Sequence, residues 1–230
     1  GEAALSEYTR RFDRFDPGRK GFAVSAREID AAWRRVPAPL RASLGKAADR
    51  ISAFHRNQRD EGFTASIPGA ALAQRVLPVS RAGVYVPGGK AAYPSTLLMN
   101  SLPARVAGVP EVVAACSAPG GRVPDVVLAA ARIAGVSSVY RVGGAQAIAA
   151  LAYGTESIPR VEMIAGPGNA YVTEAKRQLF GVVGIDMLAG PSELVVLADG
   201  SAVPSYVAAD LLSQAEHDED AYVALVTDSE

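Results

Sequence analysis

The stretch Ile164–Lys176, IAGPGNAYVTEAK, joins the end of a short apolar run to the start of a helix through a Gly-Pro-Gly turn. Gly166 and Gly168 match the first two glycines of the dinucleotide fingerprint G-x-G-x-x-G, whereas Tyr171 occupies the position of the third. Asn169 falls at the expected N-cap of the helix, where backbone N–H groups lack partners and anions are favoured. The turn therefore either binds a nucleotide or only connects a strand to a helix that Asn169 caps.

The segments on both sides of this turn repeat the same order of strand, turn and helix. Short β-branched runs bounded by Gly or Pro alternate with helical windows, a pattern typical of a parallel α/β sheet. The predicted strands are 76–79, 83–86, 111–116, 138–142, 160–164, 193–198 and 221–226. The predicted helices between them are about 94–107, 124–134, 144–152, 169–180 and 204–217. Since the connecting loops are short, the sequence favours doubly wound layers over a bundle or a sandwich.

The first sixty residues have helical periodicity instead. Apolar residues recur at helical spacing in two stripes, Leu5, Tyr8, Phe12, Phe15 and Leu40, Leu44, Ala47, Ile51, Phe54. Ser25 and Glu28 have the form of a capping box and predict a helix at about 26–35. We expect an N-terminal helical segment at 1–80 that contributes to the first α/β domain, a Rossmann-like domain at 81–190, and at 191–230 the start of, or the return to, the other α/β domain. Because the sequence ends on an apolar strand with no covering helix, that last part is expected to be incomplete.

Composition limits the classes of partner. The 230 residues are 49% hydrophobic, enough to bury a core, and the 23 Lys and Arg balance 24 Asp and Glu, so the basic field that nucleic acid requires is missing. No apolar run reaches the ~18 residues of a membrane helix. Cys116 lies in an apolar run and is expected to be a buried thiol, which suits a reducing cytoplasm. A small molecule or another subunit is the expected partner.

The last predicted helix, PSYVAADLLSQAEH at 204–217, carries a candidate metal-binding pair. Pro204 suits the first helical turn, and the expected buried stripe is Val207, Leu211, Leu212 and Ala215. Gln214 and His217 are three residues apart and therefore neighbours on the helix surface. An imidazole and an amide oxygen can bind a metal ion, but a catalytic zinc usually takes at least three protein ligands. The pair is otherwise an ordinary surface feature, and His55 is expected to pack near Phe54 or face solvent.

Five long strings together resemble the histidinol dehydrogenase family: GVYVPGG, RVGGAQAIAALAYGTESIP, AGPGNAYVTEAKRQ, DMLAGPSE and DLLSQAEH. The resemblance runs from FDRFD near the start to the final strand. It implies an α/β enzyme with an incomplete Rossmann-like parallel sheet, helices on both faces and an N-terminal helical segment. It further implies an intertwined homodimer with one zinc ion per active site, which oxidises L-histidinol to L-histidine with two NAD through an enzyme-held aldehyde.

The resemblance also implies roles for six residues. Three positions match the family's NAD contacts: Tyr85, Gln146 and Asn169. Ser192 matches a substrate contact, and Gln214 and His217 match two zinc ligands that also face the substrate. On this basis the turn after Ile164 is expected to bind a nucleotide.

The family's remaining groups are missing from these 230 residues. The resemblance places its other zinc ligands, an Asp and a His, and its catalytic Glu-His pair in a C-terminal half that this sequence lacks. No catalytic residue is therefore expected in this chain, and the chain alone is expected to be inactive. Two alternatives remain open: a relative that oxidises another small alcohol, such as a sulfonated diol, and a non-catalytic binding module.

Overall fold

The computed structural model describes residues 1–88, 92–190, 192–216 and 221–229. The chain divides into two compact units, Gly1–Leu188 and Ala189–Glu230, and each has its own strands and helices. Within the described ranges, no helix combines the length and the apolar character needed to cross a membrane.

The first unit opens with helices, as predicted. They are α1 (Glu2–Tyr8), α2 (Pro17–Lys20), α3 (Ala26–Arg35) and α4 (Ala38–Arg56), with a π-helical turn at Thr9–Asp13. The capping box at the start of α3 is confirmed: the Ser25 hydroxyl accepts from the Glu28 N–H at 3.2 Å, and the Glu28 carboxylate accepts from the Ser25 N–H at 3.0 Å. Each end of the first helical turn thus satisfies a donor that would otherwise be unpaired.

An antiparallel hairpin follows, and the sequence did not predict it. Its strands are β1 (Phe63–Ile67) and β2 (Ala70–Gln74), and nearly all of their residues are exposed. A hairpin without a buried face has no alternation of apolar and polar residues for periodicity to detect. The strand predicted at 76–79 is wrong, because these residues join no ladder and Pro78 has no N–H to donate to one.

A five-stranded parallel sheet forms the centre of this unit. Its strands are β3 (Arg81–Val86), β4 (Glu111–Cys116), β5 (Ser138–Arg141), β6 (Met163–Ala165) and β7 (Gly184–Ile185). The connecting helices are α5 (Pro94–Val106), α6 (Asp125–Ala134), α7 (Gly144–Tyr153) and α8 (Ala170–Leu179). The spatial order is β5-β4-β3-β6-β7. The chain therefore winds outward from β3 to β5 and returns on the other side of β3, so the topological switch lies between β3 and β6.

Both faces of the sheet are covered, which confirms the predicted fold class. Val84, Val112 and Ala114 contribute to one apolar cluster, to which α3, α4, α5 and α6 also contribute. Val113 and Ala115 contribute to a second cluster with residues of α1, α7 and α8. All five residues of β4 from Val112 to Cys116 are buried, as expected of a parallel strand between two helical layers.

The second unit is one strand-helix-strand repeat. It consists of β8 (Glu193–Ala198), α9 (Pro204–Ala215) and β9 (Tyr222–Thr227), and β8 and β9 pair in parallel. Pro204 occupies the first turn of α9, as predicted. The predicted buried stripe is wrong at Leu212, which is 68% exposed, and at Ala215, which is also exposed, whereas Val207 and Leu211 are half-buried. A two-stranded sheet is too narrow to cover a wide apolar face of a helix.

Candidate functional site

The candidate site lies at the carboxyl edge of the five-stranded sheet. In open α/β sheets, ligands bind at this edge where the strand order reverses. Here that point lies between the turn after β3, which contains Gly88, and the turn after β6, which runs from Gly166 to Asn169. The turn after β5, which leads into Gly144, opens on the same edge because the strands are parallel.

The turn after β6 is fixed by a close approach of backbones. Gly166 has φ of 127°, and a Cβ at this position would lie 2.1 Å from the Tyr85 carbonyl oxygen. Only glycine fits both constraints. A Cβ on Gly168 would lie 2.3 Å from Val172 Cγ1, so this glycine lets the turn approach α8. Tyr171, at the position of the missing third glycine, is 76% exposed and leaves that approach unobstructed.

Two charged side chains hold the same turn, and neither was predicted from the sequence. Asp186 Oδ2 accepts from the Gly166 N–H at 2.7 Å, and Lys176 Nζ donates to the Gly166 carbonyl at 3.0 Å. Lys176 and Asp186 also form an ion pair with each other. The signal that could have found Lys176 is its spacing, since it lies between Val172 and Leu179 on the buried face of α8.

Asn169 is confirmed as the N-cap of α8. Its Oδ1 accepts from the Val172 N–H at 3.1 Å, and the residue itself is exposed. Because the oxygen already accepts this hydrogen bond, the amide NH₂ is the group of the side chain that can donate to a ligand. The amino end of α8, which favours anionic groups, therefore opens at the switch point beside an amide donor.

Tyr85 and Gln146 meet at Gly144. The Tyr85 hydroxyl accepts from the Gly144 N–H at 3.1 Å, and Tyr85 is 4% exposed. Burial is the main reason that the pKa of Tyr85 is raised, so the phenol keeps its proton and can donate it. Gln146 folds over the same residue, since a Cβ on Gly144 would lie 2.7 Å from Gln146 Oε1. Gln146 also lines a cavity of about 170 Å³ beside Leu5 and Tyr8 of the first helix.

Asp13, a further residue that the sequence did not predict, contacts the turn between β5 and α7 from outside the sheet. It is 7% exposed, it accepts a hydrogen bond from the Gly143 backbone, and burial raises its pKa. Its Oδ2 has no hydrogen-bond partner among the described residues. Its proximity to Tyr85 contributes to the raised pKa of that phenol. The available signal was the position of Asp13 between Phe12 and Phe15, two residues of the apolar stripe.

Cys116 and His55 have the ordinary roles expected of them. Cys116 is 1% exposed, and burial raises the pKa of its thiol to about 12, which confirms a buried, unreactive side chain. His55 Nδ1 lies 2.5 Å from Gln58 Oε1, and the ring packs edge-on against Phe54.

The second unit carries the candidate zinc and substrate residues. Ser192 is exposed, and its carbonyl accepts from the Tyr222 N–H at 3.3 Å. Gln214 is half-buried at the end of α9, and its buried Nε2 has no hydrogen-bond partner in the described part of the chain. His217 lies outside the described residues. Across those ranges, no three His, Cys, Asp or Glu side chains are grouped closely enough to hold a metal ion. The Gln214 amide oxygen can be one zinc ligand, whereas Nε2 is a donor that does not bind metal ions, so the described residues fit only part of a zinc site.

Comparison with known proteins gives a consistent result. A family model described as histidinol dehydrogenase matches residues 1–230. The histidinol dehydrogenase of Chromobacterium violaceum is 54% identical over 231 residues, covering 100% of this chain and 53% of that protein. That of Syntrophotalea carbinolica is 56% identical over 228 residues, covering 99% of this chain and 53% of that protein.

A solved structure has the same fold. The crystal structure of histidinol dehydrogenase from Elizabethkingia anophelis has a TM-score of 0.94 at 39% sequence identity, covering 100% of this chain and 53% of that chain. This chain thus spans about half the length of the relatives that it matches. With a match along its whole length in both sequence and fold, the chain belongs to the histidinol dehydrogenase family.

Proposed function

We propose that this chain supplies the NAD site, and part of the zinc and substrate site, of an enzyme that oxidises L-histidinol to L-histidine in histidine biosynthesis. The observation that carries the proposal is the meeting of Tyr85 and Gln146 at Gly144, on the sheet edge where the turn of Asn169 also opens. In this proposal, residues 81–190 form the NAD-binding part and the assembled enzyme is a cytoplasmic homodimer.

Three side chains would hold NAD, which supplies a hydride acceptor when it is bound. The Tyr85 phenol already accepts from Gly144, so its proton is free for a ribose or phosphate oxygen. The outward amide of Asn169 and the amino end of α8 suit the anionic pyrophosphate. Gln146 adds an amide beside the phenol.

The second unit would contribute ligands to the zinc ion and a contact to the substrate. Gln214 and His217 would bind the ion, which orients and polarises an alcohol when it is present, and Ser192 would contact the substrate. The buried Nε2 of Gln214, which lacks a partner in the described part of the chain, is a donor suited to a substrate acceptor, whereas the amide oxygen would be the zinc ligand. The proton-transferring groups of the reaction are not assigned to residues of this chain.

Titration calorimetry of NAD⁺ on the purified chain tests the cofactor assignment. Tyr85→Phe removes the phenol and is expected to weaken binding about tenfold, since one hydrogen bond to a bound ligand is lost. Tyr206→Phe, which removes a phenol from a side chain that is 72% exposed, is the matched control and should bind as the unaltered chain does. A chain that takes up no NAD⁺, or a Tyr85→Phe variant with unchanged affinity, would contradict the assignment.

Genetic complementation tests the substrate. The complete gene that encodes this chain should restore growth of a histidine auxotroph that lacks histidinol dehydrogenase and is supplied with L-histidinol. Failure to restore growth, with the protein present in soluble form, would favour a relative that oxidises another small alcohol.

A further inference from the structure

Lys176 is a buried charge at a position where an apolar side chain would be expected. It is 3% exposed, and its neighbours on the inner face of α8 are Val172 and Leu179. Burying an ammonium group is unfavourable unless it is paired and hydrogen-bonded. An ion pair at such a position commonly stabilises a fold no better than well-packed apolar residues do. The buried charge of Lys176 is therefore better explained by the groups that it binds than by a gain in stability.

The contacts of Lys176 and Asp186 close a ring around the backbone of one residue, Gly166. The Gly166 N–H donates to Asp186 Oδ2 at 2.7 Å, and the Gly166 carbonyl accepts from Lys176 Nζ at 3.0 Å. The ion pair between the two side chains completes the ring. Asp186 Oδ1 also accepts from the Met187 N–H at 2.8 Å, which anchors the carboxylate to the chain after β7.

Gly166 needs such a restraint more than other residues do. Its φ of 127° lies in a region that is accessible to glycine, but glycine has little intrinsic preference for this region over others. A turn that samples several conformations must be ordered when a ligand binds, and the cost of ordering lowers affinity. Asn169 follows Gly166 by three residues and α8 starts directly after Asn169, so the conformation of Gly166 determines where both of them point.

We propose that Lys176 and Asp186 are positioning residues that clamp the backbone of Gly166 on both sides of its Cα and thereby preorganise the turn through Asn169 for NAD. The pair acts through the turn and does not itself touch the cofactor. This inference rests on the proposed function for its ligand, whereas the clamp itself is a property of the chain without NAD.

The test combines amide hydrogen exchange with NAD⁺ titration on the full 230-residue chain. The variants are Lys176→Met, Asp186→Ala and Asp186→Asn, and the control is Arg177→Met, which removes an exposed charge from the next position on α8. Exchange is followed at Gly166 and Val172, with Val113 and Ala114 in β4 as the reference for global stability.

We expect Lys176→Met and Asp186→Ala to speed exchange at Gly166 about tenfold or more while the β4 amides stay unchanged, since charge-assisted hydrogen bonds are lost locally. The same variants should raise the Kd for NAD⁺ about tenfold. Asp186→Asn should have a smaller effect, because its amide oxygen still accepts from the Gly166 N–H. Arg177→Met should match the unaltered chain in both measurements.

Three results would overturn the clamp. The first is unchanged exchange at Gly166, the second is an equal loss of protection at Gly166 and in β4, and the third is faster exchange at Gly166 with unchanged affinity for NAD⁺. If the unaltered chain takes up no NAD⁺, the proposed function fails separately. Exchange at Gly166 and Val172 then decides the clamp, with a selective loss of protection supporting it and no loss contradicting it.

Discussion

Gly166 shows how much of the candidate site depends on a single residue. Its φ of 127°, together with the 2.1 Å that would separate a Cβ at this position from the Tyr85 carbonyl oxygen, leaves no room for any side chain. The motif G-P-G-N marks this turn in the sequence, but only the pairing of β6 with β3 brings Tyr85 against it.

Gly166→Ala is therefore expected to lower the free energy of unfolding by about 2–3 kcal/mol, because a strained backbone and a steric overlap with main chain are added together. Denaturant titration measures the change. Gly45→Ala is the control: it lies in α4 with open space around its Cα, and it should be neutral or stabilising by up to about 1 kcal/mol. Equal stability of the two variants would contradict the steric argument.

Asp13 should make the free energy of unfolding depend on pH, and the raised pKa gives the sign of this dependence. Burial raises its pKa in the folded chain, so its contribution to stability is largest below the ordinary aspartate pKa and is lost as the pH rises through the folded value. Asp13→Asn cannot titrate. We expect the free energy of unfolding of the variant, relative to the unaltered chain, to increase as the pH rises from acidic towards neutral in chemical denaturation. A difference that is constant or falls with pH would refute the assignment.

Among the elements, the ones with strong local sequence signals were predicted best. The strands at 111–116 and 193–198 and the helix at 26–35 were predicted with the observed bounds, because local apolar runs and a capping box mark them. The hairpin of β1 and β2 and the short strand β7 were missed. The hairpin has no buried face, and a strand of two residues is too short to show a period.

The start of α3 connects local and tertiary structure through Glu28. Burial opposes its ionisation, but hydrogen bonds from the Ser25 backbone, Arg141 and Lys20 outweigh burial and lower the pKa of Glu28 to about 2. A capping residue of α3 thus also neutralises Arg141, which is 2% exposed at the end of β5. Without Glu28, no ion pair of the described residues would neutralise this buried charge.

Glu28→Gln should consequently destabilise the chain at neutral pH. Loss of the partner of a buried charge costs about 3 kcal/mol or more, and solvent screening of the partly exposed Glu28 reduces the expected loss to about 1–2 kcal/mol. Because the folded pKa is lowered, this stabilisation is present above the ordinary glutamate pKa and disappears as the pH falls towards 2.

Glu174→Gln supplies the matched control for this prediction. The pKa of Glu174 is also lowered to about 2, chiefly by its hydrogen bond from Arg177, but both side chains are exposed on α8. Its replacement should change stability little at any pH, since exposed ion pairs contribute weakly. Thermal or chemical unfolding of both variants across the acidic range measures the contrast, and equal losses in the two would contradict it.

At the scale of the whole molecule, stability is expected to be unevenly distributed. The sheet strands β3 and β4 are buried between two helical layers, whereas β1 and β2 form an exposed hairpin. Local opening costs least where few apolar contacts are broken.

Native-state hydrogen exchange should therefore find the slowest amides in β3 and β4 and the fastest strand amides in the hairpin. The expected difference is at least about a hundredfold, because global opening is required for the former and local fraying for the latter. Hairpin amides that exchange as slowly as those of β4 would show that the hairpin belongs to the same cooperative unit.

Local sequence signals identified most of the helices and strands, their order and the turns between them, because periodicity, caps and Gly or Pro act within a few residues. They also marked the turns after β3, β5 and β6 as candidates for binding. The return of β6 beside β3, and the contact of Asp186 with the residue that Lys176 also binds, twenty residues earlier at Gly166, follow only from tertiary packing. The same holds for Asp13 against Gly143. These buried charges meet partners that are distant in sequence, and only the packing of strands, helices and turns against one another brings such partners together.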